Sequence, residues 1–186
     1  MKPSNASPEL LDSVREILRQ GEILLPEISD DAYTCKLAVA FNSSIGGHYR
    51  HCLDHFQNLL NAAGAGDLDY DQRERGTRVE TDRWAALAAT RGLIVGYQGL
   101  NPAWLARSLA VTCKTNYATS GSQTSPSTVG RELMYSVAHA VHHYALIGVM
   151  AGIMGIPLPT GFGIAPSTLK HQATALATSN SPALAG

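Results

Sequence analysis

Six of the chain's seven histidines fall in two short windows. The first reads Gly47-His48-Tyr49-Arg50-His51-Cys52-Leu53-Asp54-His55 and the second His139-Ala140-Val141-His142-His143, each within a stretch whose apolar residues recur at helical spacing. On a helix, positions i and i+4 share a face with side chains about 5–6 Å apart, so His139 and His143 can hold one ion together. Burying two imidazoles without partners in an otherwise apolar helix would cost roughly 1–3 kcal/mol each, which argues for a partner. Two nitrogens on one helix still need a third from elsewhere, and the first window offers His48, His51 and His55 in one sector. Three neutral imidazoles leave coordination positions open to water or substrate, as catalytic sites do and closed structural sites do not. An i,i+4 pair alone is also what a surface pair or a hydrogen-bonded core pair looks like; the second cluster is what favours a metal. Counted at about 100° per residue, the His139/His143 face also carries Glu132, Ser136, Leu146 and Met150, while His142 points further round.

The rest of the pattern is mainly helical. Ser7-Pro8-Glu9 reads as a cap, a first-turn proline and a first-turn acid, opening a helix over about Pro8 to Leu25. Asn42-Ser43-Ser44 caps a second helix from about Ser44 to Ala63, with Ile45, Tyr49, Cys52, Phe56, Leu59 and Leu60 at helical period. Asp67 to Gly76 is polar and reads as a loop, and Thr77 to Gln98 as a third helix. Ser108 to Cys113 has the look of a short strand, which allows one small hairpin. Ser120 to Thr128 reads as a loop ending in a cap at Ser127, before a long apolar helix from about Val129 to Gly155. Pro157, Pro159, Gly161, Gly163 and Pro166 mark an irregular tail, frayed over about 176–186.

Composition narrows the function classes. A chain of 186 residues, 45% hydrophobic, has room for one core, so residues 1–186 are expected to form a single domain. Net charge is −1 with Lys and Arg scattered, which leaves no footprint for nucleic acid. Cys35, Cys52 and Cys113 are widely spaced, against both a disulfide framework and a cysteine-based zinc site, and point to a reducing cytoplasm. No signal core is visible at Met1 to Asn5. The most apolar run, Val137 to Met154, is interrupted by three histidines, so a buried bundle helix is expected there rather than a membrane span.

At these residues the sequence resembles the DinB/YfiT-like family of four-helix metalloproteins (the DinB superfamily), which includes DinB proteins and thiol transferases acting with bacillithiol, mycothiol or glutathione. The matching features are His51 with Asp54 three residues on, the H-x-x-x-H motif from His139 to His143, and the order and separation of the two helices. The resemblance implies an all-α fold, an antiparallel four-helix bundle with a long connection between its second and third helices. It also implies metal ligands at His51, His139 and His143. Periodicity alone places His48 nearer the apolar stripe of its helix than His51. The chain departs from common members in its extra histidines, His48, His55 and His142, and in Tyr144-Ala145-Leu146 where many carry Arg-Gly-Gln. The stretches 45–51, 70–75, 131–133 and 162–168 read as signature segments of a sub-group.

Other residues have two readings each. Arg50, Arg73, Arg75 and Arg131 could fork a carboxylate-bearing substrate or thiol cofactor, or be surface arginines. Glu132 is the candidate catalytic base or imidazole partner, and equally a first-turn acid; Asp54 is placed for a similar supporting role. Cys52 reads as an inert core thiol more readily than as a nucleophile. No phosphate loop and no G-x-S-x-G elbow is present. The expectation is therefore a metal-dependent enzyme of thiol-transferase or hydrolase type. It would use zinc, nickel, iron or another divalent transition metal, act on a small molecule such as a low-molecular-weight thiol, and be cytoplasmic, with a homodimer allowed. The rival is a non-catalytic metal-binding or interaction protein in which the ion stiffens the bundle.

Overall fold

The computed structural model describes residues 8–72, 76–118 and 120–179, and the statements below concern those residues. Their order is α1 (Pro8–Glu27), α2 (Asp30–Thr34), a 3₁₀ turn (Ala38–Ala40), α3 (Ile45–Ala65), β1 (Asp67–Asp69), α4 (Arg78–Thr81), α5 (Arg83–Gln98), a second 3₁₀ turn (Pro102–Ala106), β2 (Ser108–Cys113), β3 (Gln123–Thr128), α6 (Val129–Ile153) and α7 (Pro166–Ser179). Four long helices carry the core: α1 packs on α5 and α6, and α3 packs on α6 and α5. Into it go Val14, Leu18 and Leu25 of α1, Phe56 and Leu59 of α3, Leu87 and Leu93 of α5, and Leu133, Ile147 and Met150 of α6.

Capping fixes where the site-bearing helices begin. Ser44 Oγ accepts from the Gly47 amide at 3.0 Å and starts α3. Thr128, rather than Ser127, caps α6 by accepting from the Arg131 amide at 3.2 Å. The expected third helix is split, because Asp82 leaves helical geometry and its Oδ1 accepts from the Trp84 and Ala85 amides at 2.9 and 3.0 Å, starting α5 afresh. The cap of α1 at Ser7 lies outside the described residues.

The strand expected at Ser108–Cys113 is present and centres a three-stranded sheet of order β1-β2-β3, parallel to β1 and antiparallel to β3. Two segments expected as loops thus become strands. Gln123–Thr128 pairs along the whole of β2, and Asp67–Asp69 pairs with Ala110–Thr112. Polar composition hid β3, and a Thr112–Thr124 hydroxyl contact at 2.9 Å is among what holds it. Pro126 is tolerated because β3 is an edge.

The tail also corrects the reading. Residues 156–165 wrap without regular structure, but Pro166 opens α7 instead of ending order. Proline belongs at a first helical position, and the Lys170-His171-Gln172-Ala173-Thr174-Ala175 run that follows is rich in helix formers. The wrap is held where Phe162 stacks on Tyr144 with ring centroids 4.8 Å apart and Gly163 N–H donates to Gln20 at 3.0 Å. Gly163 has φ +68, and a Cβ there would sit 2.6 Å from the Tyr144 backbone, so only glycine fits.

α6, expected as a buried bundle helix, is buried along one side. By length and composition Val129–Ile153 could cross a membrane, yet it carries Glu132 and three histidines, and 33% of its most apolar window is buried. Met134, Val149 and Ile153 face outward.

Gly46 sets how closely α4 approaches α3, since a Cβ there would land on the Glu80 carbonyl oxygen and 2.8 Å from the Tyr33 ring. Gly46→Ala should therefore destabilise the chain by about 1–3 kcal/mol despite alanine's better helix propensity. Urea denaturation checks this, and an unchanged or higher midpoint would contradict it.

Candidate metal centre

α3 and α6 run antiparallel: His48 lies beside His143, His51 beside both His143 and His139, and His55 beside His139. Tyr49 and Tyr144, each next to a histidine in sequence, stack at 5.9 Å on the buried side of this contact and set its register. The Tyr49 hydroxyl is satisfied by Thr90 of α5 at 2.7 Å.

The histidine side of the contact brings one ring nitrogen each of His51, His139 and His143 within 4.8 Å of one another, all three residues half-buried. His51 Nε2 and His139 Nε2 are 3.0 Å apart, about the separation of two nitrogens bound to one ion at about 2.0–2.1 Å. The donor set is three borderline nitrogens with no thiolate or carboxylate among them, which suits zinc, nickel, iron or copper. The residues fit the ion that the sequence suggested.

Around this cluster the other histidines divide. His48 Nδ1 meets His143 Nδ1 at 2.9 Å. His55 is buried, stacked on Tyr70 at 4.7 Å and 4.2 Å from the His139 ring centroid. His142 is exposed, its ring 5.3 Å from that of His143. Tyr135 stacks on His139 at 5.6 Å and is partly exposed.

Glu132 lies two turns before His139, 2% exposed, with both oxygens engaged. Oε2 accepts from the Tyr70 hydroxyl at 2.8 Å, and Oε1 accepts from Ser127 Oγ at 2.6 Å and Arg131 Nη1 at 2.8 Å. The sheet makes this possible, since Tyr70 follows β1 and Ser127 is the next-to-last residue of β3. Burial, and then the hydrogen bond to Glu132, push the Tyr70 phenol well above its ordinary range, so it remains a donor. Tyr70 is a residue whose placement the sequence reading missed; only its position in a signature stretch hinted at it.

Asp54 pairs with Arg50 at 2.5 Å, and Arg50 also reaches Glu80 at 3.2 Å. Asp54 lines a cleft of about 920 Å³ with Leu53, Asn58 and Asp69, and none of the histidines is in its wall. Cys52 is buried in the core, and desolvation raises its thiol far above the ordinary value, as expected of an inert cysteine. Arg73 and Arg75 lie outside the described residues.

No family model matches the sequence. Among solved structures, the chain superposes on a DinB-like protein from Bacillus subtilis with a TM-score of 0.60 at 20% identity, covering 81% of this chain and 96% of that one. The fold is DinB-like. Among curated proteins, 104 residues are 36% identical to FK506-binding protein 5 of Rhizopus delemar. That match takes in 56% of this chain, and 27% of the length of the Rhizopus protein. The DinB-like fold accounts for the mostly helical architecture expected, with the small sheet added to it.

Burial first, and then the neighbouring His139, His51, His48 and His142, lower His143 from 6.5 to about 3. A histidine whose folded value lies below its unfolded value gains its proton only on unfolding. Its contribution is therefore intact above 6.5 and is lost as pH falls below it towards 3. The melting temperature of the metal-free protein should fall between about pH 7 and about pH 5.5, and His143→Gln should flatten that slope. A wild-type profile that is already flat over this window would contradict the assignment.

Proposed function

We propose that this is a DinB-like metal-binding protein whose site is His51, His139 and His143, and that the ion serves a metal-dependent reaction of thiol-transferase or hydrolase type. The observation that carries the reading is the convergence of three imidazole nitrogens from two helices within 4.8 Å at a half-buried position. Three protein ligands leave room for a further one, which is the arrangement of catalytic sites. A divalent transition metal held there would supply Lewis acidity, lowering the pKa of a water or low-molecular-weight thiol, or polarising a carbonyl.

The chain's own residues do the rest in this reading. Tyr135 and His142 border the solvent side, while His55 and Tyr70 close the inner wall. Glu132, proposed from sequence as a catalytic base, takes its part through Tyr70, whose hydroxyl it holds in place. Arg131, whose Nη1 donates to Glu132 and whose guanidinium lies 5.6 Å from the Tyr135 ring centroid, is the cation we assign to a substrate carboxylate. We read the ring of α1, α5, α3 and α6 as the antiparallel four-helix bundle, and place the protein in the cytoplasm without nucleic acid or membrane as partner; a homodimer is compatible with it.

Elemental mass spectrometry of untagged protein tests the site. Near-stoichiometric metal is expected in the wild type, with loss in His51→Ala and in His139→Ala/His143→Ala. Wild-type protein that takes up no zinc, nickel or iron on loading would sink the proposal. The non-catalytic alternative is separated by a thiol panel with an electrophile: metal-loaded protein that is thermally stabilised by its ion yet turns over none of the thiols supports it.

A further inference from the structure

His48 stands outside the three-nitrogen cluster but touches one of its members. Its Nδ1 lies 2.9 Å from His143 Nδ1, with the ring planes tilted by 41° and their centroids 5.2 Å apart. Two ring nitrogens at that distance either face one ion or share one proton, and because His48 is not in the group that could hold the ion, this pair shares a proton: two N–H groups would collide and two lone pairs would repel. When His48 is the donor to His143, a neutral His143 carries its own proton on Nε2 and has no lone pair left for an ion. When His143 Nδ1–H donates to His48 Nδ1, His143 Nε2 is bare, and His48 carries its proton on its own Nε2. Only the second arrangement is compatible with His143 as a ligand.

We infer that His48 is a positioning residue that fixes the tautomer and ring orientation of His143, so that His143 presents Nε2 to an ion shared with His51 and His139. The inference rests on the metal-binding reading above. Metal-ligating histidines ordinarily donate their other N–H to a carboxylate, a carbonyl or water. Here the acceptor is another imidazole, brought to His143 by the antiparallel pairing of α3 and α6 and by its place one turn before His51. The Ser44 cap and the close packing at Gly46 fix the first turn of α3, and with it the backbone of His48.

The test is zinc affinity of the full chain, by competition with a chromophoric chelator, for the wild type, His48→Ala and His48→Asn. His48→Ala should bind one zinc per chain about 10–100-fold more weakly, the usual effect of losing an outer partner. His48→Asn, which offers an amide oxygen near the lost Nδ1, should recover most of that affinity. Nitrogen-15 spectra of the zinc form should show His143 protonated at Nδ1 in the wild type and the Asn variant. His48→Ala affinity within about twofold of wild type, or an Asn variant no better than Ala, overturns the assignment. So does a His48→Ala variant that loses an entire equivalent of zinc, since that makes His48 a ligand. Wild-type protein that binds no zinc at all overturns the metal reading and this inference with it, an outcome distinct from the others.

Discussion

The antiparallel contact between α3 and α6 is the constraint on which the site depends. One side of it is a dry aromatic seam, where Tyr49 and Tyr144 stack, Tyr49 is pinned to Thr90, and Phe162 caps Tyr144 from the tail. The other side is the histidine cluster. Aromatic pairs of this kind add about 0.5–1.5 kcal/mol beyond the area they bury, and here they also fix how far one helix slides along the other. A slide of one turn, about 5.4 Å, would leave His51 beside only one of His139 and His143 instead of both. The apolar and polar sides are thus linked: packing decides the register, and the register decides which nitrogens meet.

The small sheet does comparable work at the other end of α6. β3 runs straight into the Thr128 cap, and β1 delivers Tyr70, so the acid of the first turn of α6 finds Tyr70 and Ser127 waiting. A buried carboxylate with three donors is stabilised where it sits, and it in turn holds the phenol against His55. Local elements that look peripheral to a helical fold therefore shape the inner wall of its histidine cluster. From Leu133 to Leu169 the chain carries no Lys, Arg, Asp or Glu, so along this whole stretch the polar chemistry of α6 is left to its histidines, hydroxyls and backbone.

Much of this was legible in the sequence because it is periodic. The long helices, the Ser44 cap, the strand at Ser108–Cys113 and the sharing of a face by Glu132, Ser136, His139 and His143 all follow from spacing that a helix or strand imposes. The errors fell where tertiary partners override local composition. Gln123–Thr128 has a loop's residues but pairs with β2; Asp82 looked like one more helical position but caps a new helix; Pro166 looked like a breaker but sits where a helix starts.

What the sequence determined by itself is the supply of ligands: two helices, each presenting imidazoles on one face, because side-chain direction on a helix follows from residue number. Periodicity could not choose among His48, His51 and His55, since all three lie in one sector, and it even favoured His48; His51 was named only by the family resemblance. That choice depends on the rotation and register of α3 against α6, which the Tyr49–Tyr144 seam and the close approach at Gly46 set from outside the helix. Only the tertiary structure placed the His51 nitrogen in the cluster and left His48 at its edge, in contact with His143.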